Sequence, residues 1–160
     1  MTPSELKQFI RDNSSKLGFS HIGISPTSHD TLTPQRLNQW LDNGYHASME
    51  WMQSRSEERN NINNYFPEAK SVISLGMNYF TGNVHKNNNI GKISNYAWGD
   101  DYHQIIKPRL YELLNSIKFI YPDTEGVVCI DTSPVMEKAW AQKGGIGWIG
   151  KHTNLITRDY

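Results

Sequence analysis

Three short stretches of this 160-residue chain hold side chains whose types and spacing could do chemistry. The first ends the run GVVCID, where Asp131 follows apolar residues and precedes Thr132, Ser133 and Pro134. A carboxylate where a strand gives way to a helix does one of two things. It accepts backbone N–H bonds as an N-cap, or it stands at the rim of a cleft where apolar neighbours raise its pKa and keep a proton available. Met136, Trp140 and Trp148 are placed to supply such neighbours, and pattern alone leaves both readings open.

The second stretch is YAWGDDYH, Tyr96 to His103, just ahead of a long helical pattern. Asp100 or Asp101 suits the positive end of that helix as a cap. A metal set of Asp100, Asp101 and His103 is disfavoured, because two of the three would have to turn off the helix face. The third is GGIGWIGKHTNLI, Gly144 to Ile156. Gly145 to Lys151 satisfies GxxxxGK by count, yet His152 stands where a phosphate loop needs a hydroxyl for magnesium. The stretch also follows a helix instead of a strand, TNLI reads as extended, and Trp148 and Ile149 are bulky where bare backbone is wanted. The glycines permit close backbone approach or turns, and Trp148 offers a flat face.

Sixteen basic residues balance sixteen acidic ones, so no global field draws the chain to nucleic acid or lipid. No apolar run approaches 18 residues, and the start MTPSELKQFI reads as a capped helix instead of a signal peptide. A cytoplasmic protein without a membrane partner is the expectation, with a monomer as the expected state. The single cysteine, Cys129, lies in an apolar run, so the chain builds no disulfide framework and no thiolate metal cluster.

These residues must be positioned by recognisable elements. Thr2, Pro3 and Glu5 form a capping box around a first helix with Leu6, Phe9, Ile10 and Leu17 on one face and Gly18 as its stop. Phe19–Ile24 reads as a strand. Thr33-Pro34 opens a second helix bearing Leu37, Trp40 and Leu41, ended by Asn43-Gly44. Ser71–Phe80 reads as a central strand, and Thr81–Lys92 as a polar surface loop. From Asp101 a long helix is expected to turn Ile105, Ile106, Leu110, Leu113, Leu114 and Ile117 inward. Gly126–Asp131 reads as a further strand and Ser133–Lys143 as a helix. The expected class is α+β, a small, mainly antiparallel sheet flanked by helices, in one domain.

Several of these segments together resemble the epoxyqueuosine reductase family. DTSPVMEKAWAQKGGIGWIGKHTNLI resembles its signature D-T-x-P-x-x-E followed by an alanine-rich helix and GIGWxGKNT. SMEWMQSRSEERNN, FPEAKSVISLGMNYF and ISNYAWGDDYH resemble its upstream motifs, in order. The resemblance spans nearly all of the chain but only the N-terminal part of such an enzyme. It implies a corrinoid-reductase-like fold over residues 1–160, followed by a ferredoxin-like domain whose cysteines hold two 4Fe–4S clusters that this chain does not ligate.

The implied activity is cobalamin-dependent reduction of epoxyqueuosine to queuosine in tRNA. Asp131 falls on the family's general acid, a role worth ~10²–10⁴ in rate. Arg59, Ser94, Asp131, His152 and Leu155 fall on positions lining cobalamin, with Tyr102 and Lys151 beside them. No separate metal site is implied. His152 departs from the family's usual asparagine, and Asn154 from its cysteine or small residue. Relatives of the fold leave two alternatives: another corrinoid reductase or dehalogenase, and a non-catalytic module that binds a corrinoid or RNA.

Overall fold

In the computed structural model, residues 1–28, 31–80, 82 and 91–159 are described. The polar loop expected over Thr81–Lys92 lies almost wholly outside the described residues. Two compact units emerge, Met1–His21 with Gly76–Thr124, and Ile22–Leu75 with Glu125–Tyr160. In chain order the elements are α1 (Pro3–Lys16), β1 (His21–Pro26), α2 (Leu32–Asp42), α3 (Glu50–Ser54), α4 (Ser56–Asn60), α5 (Ile62–Tyr65), β2 (Ser71–Gly76), α6 (Tyr102–Ile120), α7 (Glu137–Lys143), β3 (Trp148–Ile149) and β4 (Leu155–Ile156). The class is α+β. Strand β1 pairs with β2 and β3 with β4, each pair a two-stranded sheet. Ser20 N–H donates to the Gly76 carbonyl and Thr27 N–H to that of Lys70, an antiparallel order.

The first unit packs α1 against α6. The capping box at α1 is complete: Thr2 N–H donates to Glu5 Oε2 at 2.7 Å and Glu5 N–H to Thr2 Oγ1 at 3.3 Å. Ile10 and Ser14 of α1, Phe19, and Leu113 and Ile117 of α6 are buried. Ser14 is satisfied there by donating its hydroxyl to the Ile10 carbonyl at 2.7 Å. Arg109 of α6 donates from Nη1 to the Leu17 carbonyl at 3.1 Å, setting a cation against the carbonyl end of α1. Asp101 caps α6, its Oδ1 accepting His103 N–H at 2.9 Å and lying 2.8 Å from His103 Nδ1. Ile105 departs from expectation and faces out, 37% exposed, because it falls in the first turn of α6, ahead of the buried stripe.

The second unit is built around Leu37, Ile62, Pro134 and Ala141. Helix α2 packs on α4, and α7 packs on the β3–β4 hairpin. Gly144 caps α7, and two bonds close its end: Gly145 N–H to the Gln142 carbonyl and Ile146 N–H to that of Ala141, both 3.0 Å. This double closure needs a left-handed residue after the cap, and Gly145 supplies φ +80° without a Cβ penalty. One residue earlier, Gly144 lies directly on β1. A Cβ built on Gly23 would stand 2.6 Å from the Gly144 carbonyl oxygen, and one on Gly144 2.9 Å from Gly23 Cα. No side chain there can move aside, because backbone faces backbone.

Three expected elements change. Gly126–Asp131 forms no strand among the described residues: 126–130 have no regular structure, Asp131 bends with φ +50°, and Val127 is 49% exposed. An apolar β-branched run becomes a strand only where a partner ladder accepts its N–H and C=O groups. The helix expected from Ser133 begins at Glu137, because Thr132 to Val135 are spent in local turns around buried Pro134. Strand β2 stops at Gly76 and pairs only with β1 among the described residues, so it is not a central strand.

The two glycines facing each other predict that Gly23→Ala and Gly144→Ala each cost about 1–3 kcal/mol of stability. Gly99→Ala, with open space around its Cβ, leaves the denaturation midpoint unchanged. At the cap of α6, the carboxyl of Asp101 is held below its ordinary pKa, first by the His103 backbone N–H and then by the His103 side chain. A depressed folded-state value means stability present above the unfolded pKa, about 3.9, and lost as pH falls through the folded one. Asp101→Ala therefore lowers the Tm by a few degrees at neutral pH, and the gap to wild type closes in acid; thermal melts across pH check this.

Candidate functional site

Helix α7 organises the second unit's polar side chains. At its head Glu137 reaches back six residues, and its Oε1 accepts the Asp131 N–H at 2.8 Å. Asp131 is exposed and has φ +50°, a left-handed backbone for a residue with a side chain. It is therefore not the N-cap of α7, whose cap position is Met136. Nor is it enclosed by apolar side chains: Trp148, one of the three expected neighbours, is itself 48% exposed. Thr132 folds back on the same loop, its N–H and its hydroxyl both directed to the Ile130 carbonyl. Cys129, two residues before Asp131, is half-buried; burial pushes its thiol up, and the nearby Glu137 charge adds to that.

One face of α7, from its cap Met136 to Lys143, lines a cleft. Met136, Trp140 and Lys143 face Thr33, Arg59 and Ile62 across it. Arg59 is no freely solvated charge. Its Nη1 donates to the Arg55 carbonyl at 3.1 Å and the Trp51 carbonyl at 3.4 Å, and the guanidinium stands 5.3 Å from the centre of the Trp51 ring. Lys143 lies 4.7 Å from the centre of the Trp140 ring and donates to the Ser28 carbonyl. Asn60 joins the cleft wall through α4, giving Nδ2–H to Asn38 Oδ1 at 2.8 Å while its own Oδ1 is buried without a partner among the described residues.

Lys151 and His152 occupy the tip of the β3–β4 hairpin. The register pairs Trp148 with Ile156 and Ile149 with Leu155. Gly150 N–H then bonds the Asn154 carbonyl and Thr153 N–H the Gly150 carbonyl, both 2.9 Å, with Thr153 at φ +67°. This is a three-residue hairpin loop, a turn followed by a left-handed residue. The GxxxxGK count thus lands on a strand end and a hairpin tip, with no helix following for a phosphate to sit on. Both tip side chains are exposed, and His152 Nδ1 accepts the Asn154 N–H at 3.2 Å. Leu155 is half-buried in β4, and Gly147 lets the Ile156 carbonyl lie where a Cβ would be.

Ser94 and Tyr102 belong to the first unit. Ser94 is exposed and its carbonyl accepts Ala97 N–H at the start of a one-turn 3₁₀ helix, Asn95–Ala97. Tyr102 opens α6, its ring edge-on to Tyr96 at 6.3 Å and stacked on His103 at 4.2 Å. Asp101 and His103 do meet, but as a helix cap. Among the described residues no group of three or more His, Cys, Asp or Glu side chains is arranged to hold a metal ion.

Within the second unit, α7 links Asp131, Arg59 and the hairpin that carries Lys151, His152 and Leu155. Sequence reasoning missed Glu137 and Lys143. Glu137 was visible as the last letter of D-T-x-P-x-x-E, but nothing in spacing told which backbone group it would reach. Lys143 was read only as the last residue of an expected helix.

Residues 59–132 match the family described as "Epoxyqueuosine reductase QueG, DUF1730". An epoxyqueuosine reductase from Synechocystis is 42% identical over 142 residues, which cover 87% of this chain and 48% of that protein. The epoxyqueuosine reductase structure from Streptococcus thermophilus aligns with TM-score 0.79 and 25% identity over 94% of this chain and 41% of that one. A structure of epoxyqueuosine reductase with an epoxyqueuosine-modified tRNA-Tyr stem loop aligns with TM-score 0.78 and 20% identity over 98% and 42%. A Bacillus subtilis epoxyqueuosine reductase, whose catalytic aspartate loop is swung out of the active site, aligns with TM-score 0.69 and 19% identity over 96% and 41%. The chain spans about half the length of these relatives. Over this span the chain is similar to part of an epoxyqueuosine reductase.

Proposed function

We propose that residues 1–160 form the N-terminal, cobalamin-binding domain of a cytoplasmic, monomeric enzyme that reduces epoxyqueuosine to queuosine in tRNA. The observation that carries this reading is the Asp131 loop, a carboxyl on a left-handed backbone, pinned from the head of the helix that also lines the Arg59 cleft. The B. subtilis relative supports it, since that protein's catalytic loop is named for an aspartate. The tRNA stem loop in another relative supports the substrate class.

The residues present suit a corrinoid in kind. A macrocycle with amide arms needs apolar wall, donors and acceptors, and it brings its own ring ligands to its metal. Trp148 and Ile149 offer exposed apolar surface at 48% and 40%. Within the second unit Arg59 and Lys151 supply donors, His152 a ring nitrogen, Leu155 apolar wall, and the orphaned Asn60 Oδ1 an acceptor awaiting an N–H. Cobalamin, when bound, supplies the reducing chemistry at the epoxide. The 4Fe–4S clusters that feed it belong to a ferredoxin-like domain outside this chain, because one cysteine cannot ligate them.

Opening the epoxide to an alkene consumes two electrons and two protons and releases the oxygen as water. Expelling an alkoxide directly is slow, so a proton must reach that oxygen as its C–O bond breaks. Asp131 holds that proton on its carboxyl and delivers it. Exposure of Asp131 in this chain is compatible with the role once substrate closes over the loop and excludes water. Arg59, already ordered by two carbonyls and a ring, orients a bound group at little further entropic cost.

In the complete gene product, Asp131→Asn retains the cobalamin-induced change in the visible spectrum and loses turnover of epoxyqueuosine-tRNA by about 10²–10⁴-fold. Wild-type turnover in that variant rules out the acid role. Cobalamin binding without turnover in the wild-type protein instead favours a corrinoid-binding module.

A further inference from the structure

A left-handed φ at an aspartate persists only where surrounding contacts over-determine it. Downstream of Asp131 those contacts are visible. Pro134 is fully buried, Val135 N–H donates to the Ser133 carbonyl at 2.8 Å, and Thr132 folds onto Ile130. At Asp131 itself the backbone N–H points to a single side-chain acceptor, Glu137 Oε1, at 2.8 Å. Glu137 opens α7, and α7 is fixed at its other end by the Gly23–Gly144 backbone contact. The bond therefore ties the loop to an element that cannot shift.

We propose that Glu137 is a positioning residue for the reaction: by accepting the Asp131 N–H, its carboxylate fixes the left-handed turn and with it the place of the Asp131 carboxyl. This rests on the acid role proposed for Asp131. Glu137 touches the backbone, not the reacting atoms, so it acts through Asp131. A different role for an acidic residue here is electrostatic, a negative charge at the positive end of α7. The two separate cleanly. Glutamine keeps the accepting oxygen and loses the charge, whereas alanine loses both.

The test uses the complete gene product and three variants, with two readouts. The first is amide hydrogen exchange of the segment containing Asp131. The second is kcat and KM on epoxyqueuosine-tRNA. Glu137→Ala speeds exchange at the Asp131 amide by about ten- to a hundredfold, the share of one charge-assisted hydrogen bond. It lowers kcat by roughly ten- to a hundredfold with KM nearly unchanged, as displacing a catalytic group does. Glu137→Gln restores most of both. Unchanged exchange in Glu137→Ala overturns the proposal, as does a glutamine variant no better than alanine, which would assign the residue to the helix charge. The third variant, Asp131→Asn, separates the two ideas. If it turns over normally while Glu137→Ala still frees the amide without loss of kcat, the acid reading fails and the catalytic positioning falls with it. If Asp131→Asn is inactive but Glu137→Ala is not, only the positioning falls.

Discussion

Where β1 passes the end of α7, backbone touches backbone with no room for a single carbon between them. Most of the second unit's arrangement depends on that contact. It sets the height of α7 on the strand, which sets how far Glu137 can reach at one end and where the chain turns toward the hairpin at the other. Close packing makes such a contact stiff, because neither partner has a side chain whose rotamer could absorb a displacement. The next residue, Gly145, then reverses the chain tightly enough that Trp148 is reached only three residues later. The glycines between 144 and 150 thus divide the labour among close approach, reversal and strand packing, and none of them is needed for a phosphate.

Much of the fold was legible in the residues. The capping box at Thr2 and Glu5, the stop at Gly18 and the cap at Asp101 are local features, decided within a few residues of chain. Local chemistry reads well because its partners are neighbours in sequence. The unpaired Gly126–Asp131 run did not read well, because its β-branched pattern states a preference and says nothing of whether a ladder stands beside it. Ile105 failed for a related reason. Helical spacing names a stripe, but only tertiary packing says at which turn the stripe begins to be covered.

The site divides the same way. Asp131 and Arg59 stood out through family motifs, and the P-loop count could be discounted from its bulky residues and flanking elements. The tie between Glu137 and Asp131 was not readable, since it joins a side chain to a backbone N–H across a turn whose left-handed residue no pattern announced. The apolar shelter expected around Asp131 was also absent. Its three expected neighbours sit at the cap of α7, on α7 and on β3, yet Asp131 stays exposed at the surface.

The three-residue loop at the hairpin tip has a consequence for how this surface can diverge. Side chains alternate across a strand, so gaining or losing one residue in the loop would exchange the faces of Trp148 and Ile149 against Leu155 and Ile156. Length is therefore locked by register, while the side chains at the two tip positions, 151 and 152, are exposed. Variation at this edge of the molecule is channelled into side-chain identity alone. A histidine at 152, where the family pattern implied asparagine, is the kind of change such a ruler admits: the hairpin keeps its dimensions, and only the chemistry at its tip is rewritten.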